Sequence, residues 1–217
     1  MSLRRSATTS TEDARARMVE GQLRERGIAD ERVLAAMAEL PREAFLPEEE
    51  RDRAYRDGAV PIGAGQTMSQ PWIVARMTAL LDLTGEELVL EVGTGSGYGA
   101  AVLSRCCRGV LTIERHATLA ERARAALDET GCANVEVRVG DGSAGAPDRA
   151  PFGGISVTAA AEEEPPGPLL DQLAPGAALV CPVRRDGGEE LMRFRDGREE
   201  RVVPVRFVPL VAEPQAE

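Results

Sequence analysis

Three carboxylates and one serine are the residues of this chain whose types and spacing could do chemistry. Glu91 stands two residues before the run Gly93-Thr94-Gly95-Ser96-Gly97. Glu114 follows about 20 residues after that run, at the end of an apolar segment, where an acid can accept hydrogen bonds from ribose hydroxyls. Asp141 sits between Gly140 and Gly142 after another apolar segment, and can accept from an exocyclic amine such as that of adenine. Glu114 taken alone also reads as a solvated acid in the first turn of a helix. Ser69 precedes Pro71, which is an ordinary N-cap arrangement, yet its hydroxyl could equally face a ligand.

The elements that must hold these groups follow from the pattern. Val89, Leu90 and Val92 form a buried strand, the glycines allow a tight turn, and 98–107 continues as a helix. A nucleotide-like group could then lie against free N–H groups at that helix N-terminus. The order G-x-G-x-G differs from the G-x-G-x-x-G of dinucleotide sites. It resembles the first motif of Rossmann-type methyltransferases, which bind S-adenosylmethionine. Strands over 109–113, 135–139, 155–158 and 177–183, with helices over 116–130 and 169–173, predict a mostly parallel sheet. Segments 191–195 and 202–207 around Asp196-Gly197 predict a closing β-hairpin.

Upstream, an amphipathic helix over 14–26 stops at Gly27, Asp30 caps a second helix that Pro41 ends, and a charged third helix covers 48–55. The stretch 58–71 is too rich in Gly and Pro to be regular, and too apolar for a linker. The expected organisation is α/β. A frayed tail over 1–13 precedes one domain over 14–217, with N-terminal helices and an active-site loop over 14–84 and a Rossmann-like core over 85–211.

Composition excludes several classes. The formal net charge is −10 with no basic stripe, which argues against nucleic acid. No apolar run reaches membrane-spanning length, and the first twelve residues lack the apolar segment of a secretory signal. Cys106, Cys107, Cys132 and Cys181 form no C-x-x-C pair, and with one histidine there is no zinc set. They read as reduced, buried thiols of a cytoplasmic protein. His116 reads as a surface residue at a helix start.

Larger blocks then become specific. They are Pro41-Arg42-Glu43-x-Phe45, Pro61-Ile62-Gly63, Gly65-Gln66-Thr67-x-Ser69-Gln70-Pro71, the glycine loop, Gly140-Asp141-Gly142, Val157-Thr158-Ala159-Ala160 and Val205-Arg206-Phe207-Val208-Pro209-Leu210. Together, over about 18–211, they resemble the protein-L-isoaspartate (D-aspartate) O-methyltransferase family. The resemblance implies a Rossmann-like fold with an N-terminal helical cap. It implies methyl transfer from S-adenosylmethionine to the α-carboxylate of isoaspartyl and D-aspartyl residues in damaged proteins, opening repair through a succinimide. It implies Ser69 as catalytic residue. For the cofactor it implies Gln66, Thr67, Met68, Ser69, Glu91, Gly93, Gly95, Glu114, Asp141 and Gly142. For the substrate it implies Val60, Ile62, Thr158, Ala159 and Val208. The expected partners are isoaspartyl peptides and proteins, without metal, membrane or nucleic acid, bound by a monomer.

Three features depart from the family pattern: Gly153-Gly154 where an acid is usual, Arg184 where glycine is usual, and the acidic insert 161–168. They bear on peptide specificity and leave two other readings. One is a methyltransferase dedicated to an aspartate of one partner peptide. The other is a non-catalytic cofactor-binding protein, against which intact Ser69, Glu114 and Asp141 argue.

Overall fold

The computed structural model describes residues 10–185 and 187–212. Its centre is one sheet in the order β10 (Arg198–Pro204), β9 (Gly188–Arg195), β8 (Leu173–Arg185), β6 (Phe152–Val157), β3 (Leu88–Val92), β4 (Gly109–Glu114), β5 (Val135–Val139), with a short β7 (Ala161–Glu162) paired to β8. β3 lies parallel to β4 and to β6, and β5 extends the β4 side. β7 and β8 continue the β6 side in parallel, and β9 and β10 close it antiparallel. Asp196 and Gly197 both have positive φ, 51° and 71°, as a two-residue hairpin turn needs.

Strand residues alternate between two cores. Val89 and Val110 face a core shared with the N-terminal helices, whereas Leu90, Val92, Leu111 and Ile113 face the opposite one. From the central β3 the chain runs outward through β4 and β5, then returns to build β6 and β8 on the other side. That reversal between β3 and β6 is the crevice where open α/β sheets bind ligands.

The N-terminal cap differs in detail from the sequence expectation. Helix α1 (Thr11–Arg17) begins inside the expected tail, with Ser10 accepting from the Asp13 N–H at 3.1 Å. Residues 1–9 of that tail lie outside the described residues. The expected helix over 14–26 is α-helical only to Arg17. It widens to a π-type turn over Met18–Leu23 and tightens to a 3₁₀ turn over Arg24–Arg26 before Gly27. Met18 and Leu23 are both buried. Five residues apart, they would lie on different faces of a regular α-helix, and the wider turn brings both inward. Asp30 caps α2 (Glu31–Glu39) as expected, accepting from Arg32 and Val33. The expected third helix is a 3₁₀ segment, Glu48–Arg53.

The larger correction concerns 58–71. It contains a hairpin, β1 (Val60–Gly63) with β2 (Gln66–Met68), turned at Ala64 and Gly65. Pro61 is tolerated because the two-stranded ribbon leaves an open edge. Helix α3 (Pro71–Leu80) follows, then α4 (Tyr98–Ser104), α5 (Ala117–Glu129) and α6 (Gly167–Asp171). The helix expected over 98–107 therefore stops at Ser104.

Candidate active site

A cavity of about 890 Å³ opens at the C-terminal ends of β3, β4 and β6. Three separate stretches enclose it: the hairpin and start of α3, the glycine loop with the strand ends, and an arm over 204–211. The arm leaves the sheet after Pro204, so the expected strand over 202–207 is only half formed. It is tied to the end of β6 by Ala160 N to Val208 O at 2.8 Å and Leu210 N to Ala160 O at 2.7 Å.

The glycine loop is built for close approach. Gly93, Gly95 and Gly97 all have positive φ, which side chains resist. A Cβ on Gly93 would lie 2.3 Å from Thr158 Oγ1. Thr158 Oγ1 in turn donates to Gly93 O at 2.6 Å, closing the crevice between β3 and β6.

The expectation of free N–H groups at the start of α4 holds for part of the first turn, since the N–H groups of Gly99 and Ala100 have no hydrogen bond among the described residues. Gly95 N–H donates to Glu114 Oε2 at 2.8 Å, Gly97 N–H to Thr94 O at 2.9 Å, and Tyr98 N–H to Ser96 Oγ at 3.3 Å. These three donors are engaged inside the loop, ahead of the first-turn pair.

Glu114 is buried, and its other oxygen accepts from His116 N–H at 2.9 Å. Each oxygen keeps a further lone pair for a hydroxyl. Asp141 caps the 3₁₀ turn Gly142–Ala144, accepting from Ser143 N at 2.8 Å and Ser143 Oγ at 2.9 Å. Glu91 lies beneath the loop, where Thr112 Oγ1 donates to it at 2.6 Å and Thr94 meets Thr112 at 2.7 Å. Burial pushes the Glu91 carboxyl up to about 8, against the Thr112 bond and helped by the nearby Glu114 charge.

Gln66, Thr67, Met68, Ser69, Glu91, Gly93, Gly95, Glu114, Asp141, Gly142, Thr158, Ala159 and Val208 all line the cavity. Val60 and Ile62 do not. Both point into the core from β1, and the Ile62 carbonyl is held by Arg122 Nη1 at 3.1 Å. Alternation along β1 buries these two and exposes Pro61 and Gly63. Ser69 is half-buried and lies one residue before the helix cap, which is Gln70 with no side-chain cap bond. The N-cap reading of Ser69 therefore fails. Its hydroxyl makes no hydrogen bond among the described residues, whereas its carbonyl accepts from Arg42 Nη2 at 2.6 Å.

The sequence reading passed over several groups. His116, read as a surface residue, lines the cavity, as do the exposed Arg115 and Arg206. Asp57 accepts from Gln70 Nε2 at 2.6 Å and pairs with Arg26 at 3.1 Å, bracing the segment after Ser69. Charged residues near Gly and Pro gave a weak signal for this, because the partners are far apart in sequence.

The three departures lie outside the cavity lining. Gly153 leaves room for Glu87, since a Cβ there would meet Glu87 Cγ at 2.5 Å. Glu87 uses that space to cap Thr84 and Gly85. Arg184 pairs with Glu162 of the insert at 2.6 Å and with Glu189 at 3.3 Å. The arginine thus offsets one glutamate of the insert, Glu162. The four cysteines are buried and free, and burial holds Cys106, Cys107 and Cys181 at about 12, far from thiolate character.

Comparison with known proteins extends this geometry along the chain. Residues 14–215 match the family described as protein-L-isoaspartate(D-aspartate) O-methyltransferase. The chain is 51% identical over 211 residues to protein-L-isoaspartate O-methyltransferase 1 of Rhodopseudomonas palustris (strain HaA2), covering 94% of this chain and 86% of that one. It is 52% identical over 203 residues to the protein-L-isoaspartate O-methyltransferase of Methanoregula boonei, covering 92% and 93%. Among solved structures, a protein-L-isoaspartate O-methyltransferase superposes with a TM-score of 0.81 at 26% identity, over 91% of this chain and 66% of that one. A protein-L-isoaspartate O-methyltransferase structure from Plasmodium falciparum, in complex with S-adenosyl-L-homocysteine, shares the fold. Its TM-score is 0.77 at 24% identity, over 91% and 98%. The chain belongs to the protein-L-isoaspartate (D-aspartate) O-methyltransferase family.

Proposed function

We propose that this chain transfers a methyl group from S-adenosylmethionine to the α-carboxylate of isoaspartyl residues in damaged peptides and proteins. The observation that supports it best is the meeting of Ser69, Glu114 and Asp141 around one cavity at the β3–β6 crevice. The cradle fits such a cofactor. Gly93 leaves room for close approach, Glu114 would offer acceptors to ribose hydroxyls, and Asp141 would accept from the adenine amine. When bound, the cofactor supplies an activated methyl sulfonium, so the protein need not generate an electrophile.

The nucleophile is a carboxylate, ionised at neutral pH, and no general base is required. What the chain's own residues must do is orient that carboxylate and shed its water. Ser69 and Thr67 line the cavity from the hairpin side and carry hydroxyls suited to this. The net charge of −10 repels an anion at long range, so capture must be local. Arg206, on the arm, lines the cavity and has no ion pair among the described residues. It suits that capture.

The expected setting is cytoplasmic, with the chain acting as a monomer. Among the described residues no helix is long and apolar enough to cross a membrane. Among the described residues the large exposed apolar side chains are Val139, Leu170 and Val211. The deciding assay is methyl transfer from labelled S-adenosylmethionine to an isoaspartyl peptide, with the aspartyl peptide of the same sequence as control. Label in the isoaspartyl peptide alone is expected. Equal labelling of both, or of neither, would overturn the reading.

A further inference from the structure

Arg42 is the largest fully buried side chain among the described residues, at 0% exposure. It opens the 3₁₀ turn Arg42–Phe45 after Pro41. It has no carboxylate partner among the described residues. Its Nε donates to Ala54 O at 2.7 Å and its Nη2 to Ser69 O at 2.6 Å. The guanidinium lies over the Tyr98 ring, 4.7 Å from the centroid. Among the described residues, Nη1 and the Tyr98 hydroxyl make no hydrogen bond of good geometry, although the two groups face each other. Burial pulls the guanidinium below its ordinary range, only partly offset by Tyr98 and Tyr55.

An ion in this setting is a poor choice for stability alone. Desolvating it costs several kcal/mol, and an apolar side chain of similar volume commonly serves a core as well or better. What the guanidinium adds is a rigid planar fork that can hold separate carbonyls at fixed angles while stacking on a ring. Here it joins three segments: the turn at Ala54, the Ser69 main chain, and the first residue of α4 just after the glycine loop. Two of these border the cavity, because Ser69 and Tyr98 both line it. The Ser69 carbonyl has no other donor among the described residues, and the following helix has no side-chain cap.

We propose that Arg42 is a positioning residue for methyl transfer, fixing the Ser69 main chain against the cofactor-side helix and so placing the Ser69 hydroxyl. This rests on the reading of Ser69 as the group that orients the substrate carboxylate. A double-mutant cycle tests it, using Arg42→Met, Arg42→Lys, Ser69→Ala and the two Arg42 substitutions combined with Ser69→Ala. Turnover of an isoaspartyl peptide and S-adenosylhomocysteine affinity are the readouts. Folded Arg42→Met should bind S-adenosylhomocysteine within about threefold of wild type but lose about a hundredfold in kcat, the scale of a small misplacement. Arg42→Lys, with its charge and a donor retained, should recover part of that loss. In the Ser69→Ala background the Arg42→Met change should cost less than about threefold, since residues acting as a unit are not additive. Equal losses in both backgrounds would overturn the proposal while leaving Ser69 in place. Unchanged kcat in folded Arg42→Met would do the same, and so would failure of both Arg42 variants to fold, which would assign the arginine to the core. Wild-type turnover in Ser69→Ala would defeat the reading of Ser69 itself, and the proposal with it.

Discussion

At the scale of single residues, the structure separates two roles that the sequence leaves joined at Ser69. A serine followed by a proline two residues on reads as a cap, but the cap is Gln70, and the Ser69 hydroxyl bonds nothing among the described residues. Ser69→Ala should therefore leave stability within about 0.5 kcal/mol of wild type. It should still abolish most methyl transfer to an isoaspartyl peptide. Denaturant melts beside initial rates check both, and near-normal turnover in the folded variant would remove Ser69 from the chemistry. Glu91 carries a second residue-scale consequence. Its carboxyl is raised from about 4.5 to about 8 in the folded chain, so the native state keeps a proton there that the unfolded chain releases. The stability this lends is fully present below about pH 4.5 and is lost as pH rises through about 8, at up to about 1.4 kcal/mol per unit between. Glu91→Gln keeps an acceptor for Thr112 without titrating. Urea midpoints at pH 5.5 and 7.5 should fall in wild type relative to the variant; parallel behaviour of the two proteins would show Glu91 to be ionised throughout.

At the scale of elements, what the sequence discloses depends on whether an element's reasons are local. β3, β4 and β5 were legible because apolar runs ended at glycine or acid, and Asp30 because caps obey short-range rules. The β1–β2 hairpin was not, since Pro61 and three glycines mask a ribbon that forms only against the core beneath Val60 and Ile62. The same burial explains why those two do not face the cavity. Arg42 was quoted within a motif, yet its burial was unreadable: arginine is ordinarily a surface residue, and its carbonyl partners lie 12 and 27 positions away. The glycine loop permits a test at this scale. Gly93 combines φ of +96° with a Cβ position 2.3 Å from Thr158 Oγ1, whereas Gly65 has φ of +70° and open space. Gly65→Ala should cost only backbone strain, on the order of 1 kcal/mol. Gly93→Ala should cost more and should also weaken S-adenosylhomocysteine binding by displacing Thr158. Equal midpoints and equal affinities in the two variants would mean that the close packing of Gly93 on Thr158 does not matter.

At the scale of the whole molecule, the cavity is a joint product of the chain's beginning, middle and end. The hairpin comes from before the sheet, the glycine loop from its centre, and the arm over 204–211 from after it. A ligand that fits there should stabilise all three together. At a concentration of about 100 Kd, S-adenosylhomocysteine should add about 2.7 kcal/mol to unfolding, visible as a raised Tm. Amide exchange should slow over 58–70, 91–99 and 204–211 in the same titration. A dinucleotide makes the informative contrast. Its pyrophosphate needs unengaged N–H groups at the start of the helix after the glycine loop. Here the N–H groups of Gly95, Gly97 and Tyr98 are held by Glu114, Thr94 and Ser96. A pyrophosphate bound at those three groups would displace those bonds and set two phosphate charges beside the buried Glu114. S-adenosylmethionine carries no phosphate and needs only the close approach that the glycines allow. NAD at the same concentration should therefore leave both the Tm and the exchange pattern unchanged. NAD that raised the Tm and displaced S-adenosylhomocysteine would show that the loop opens for phosphate, and the cofactor assignment would fall with it.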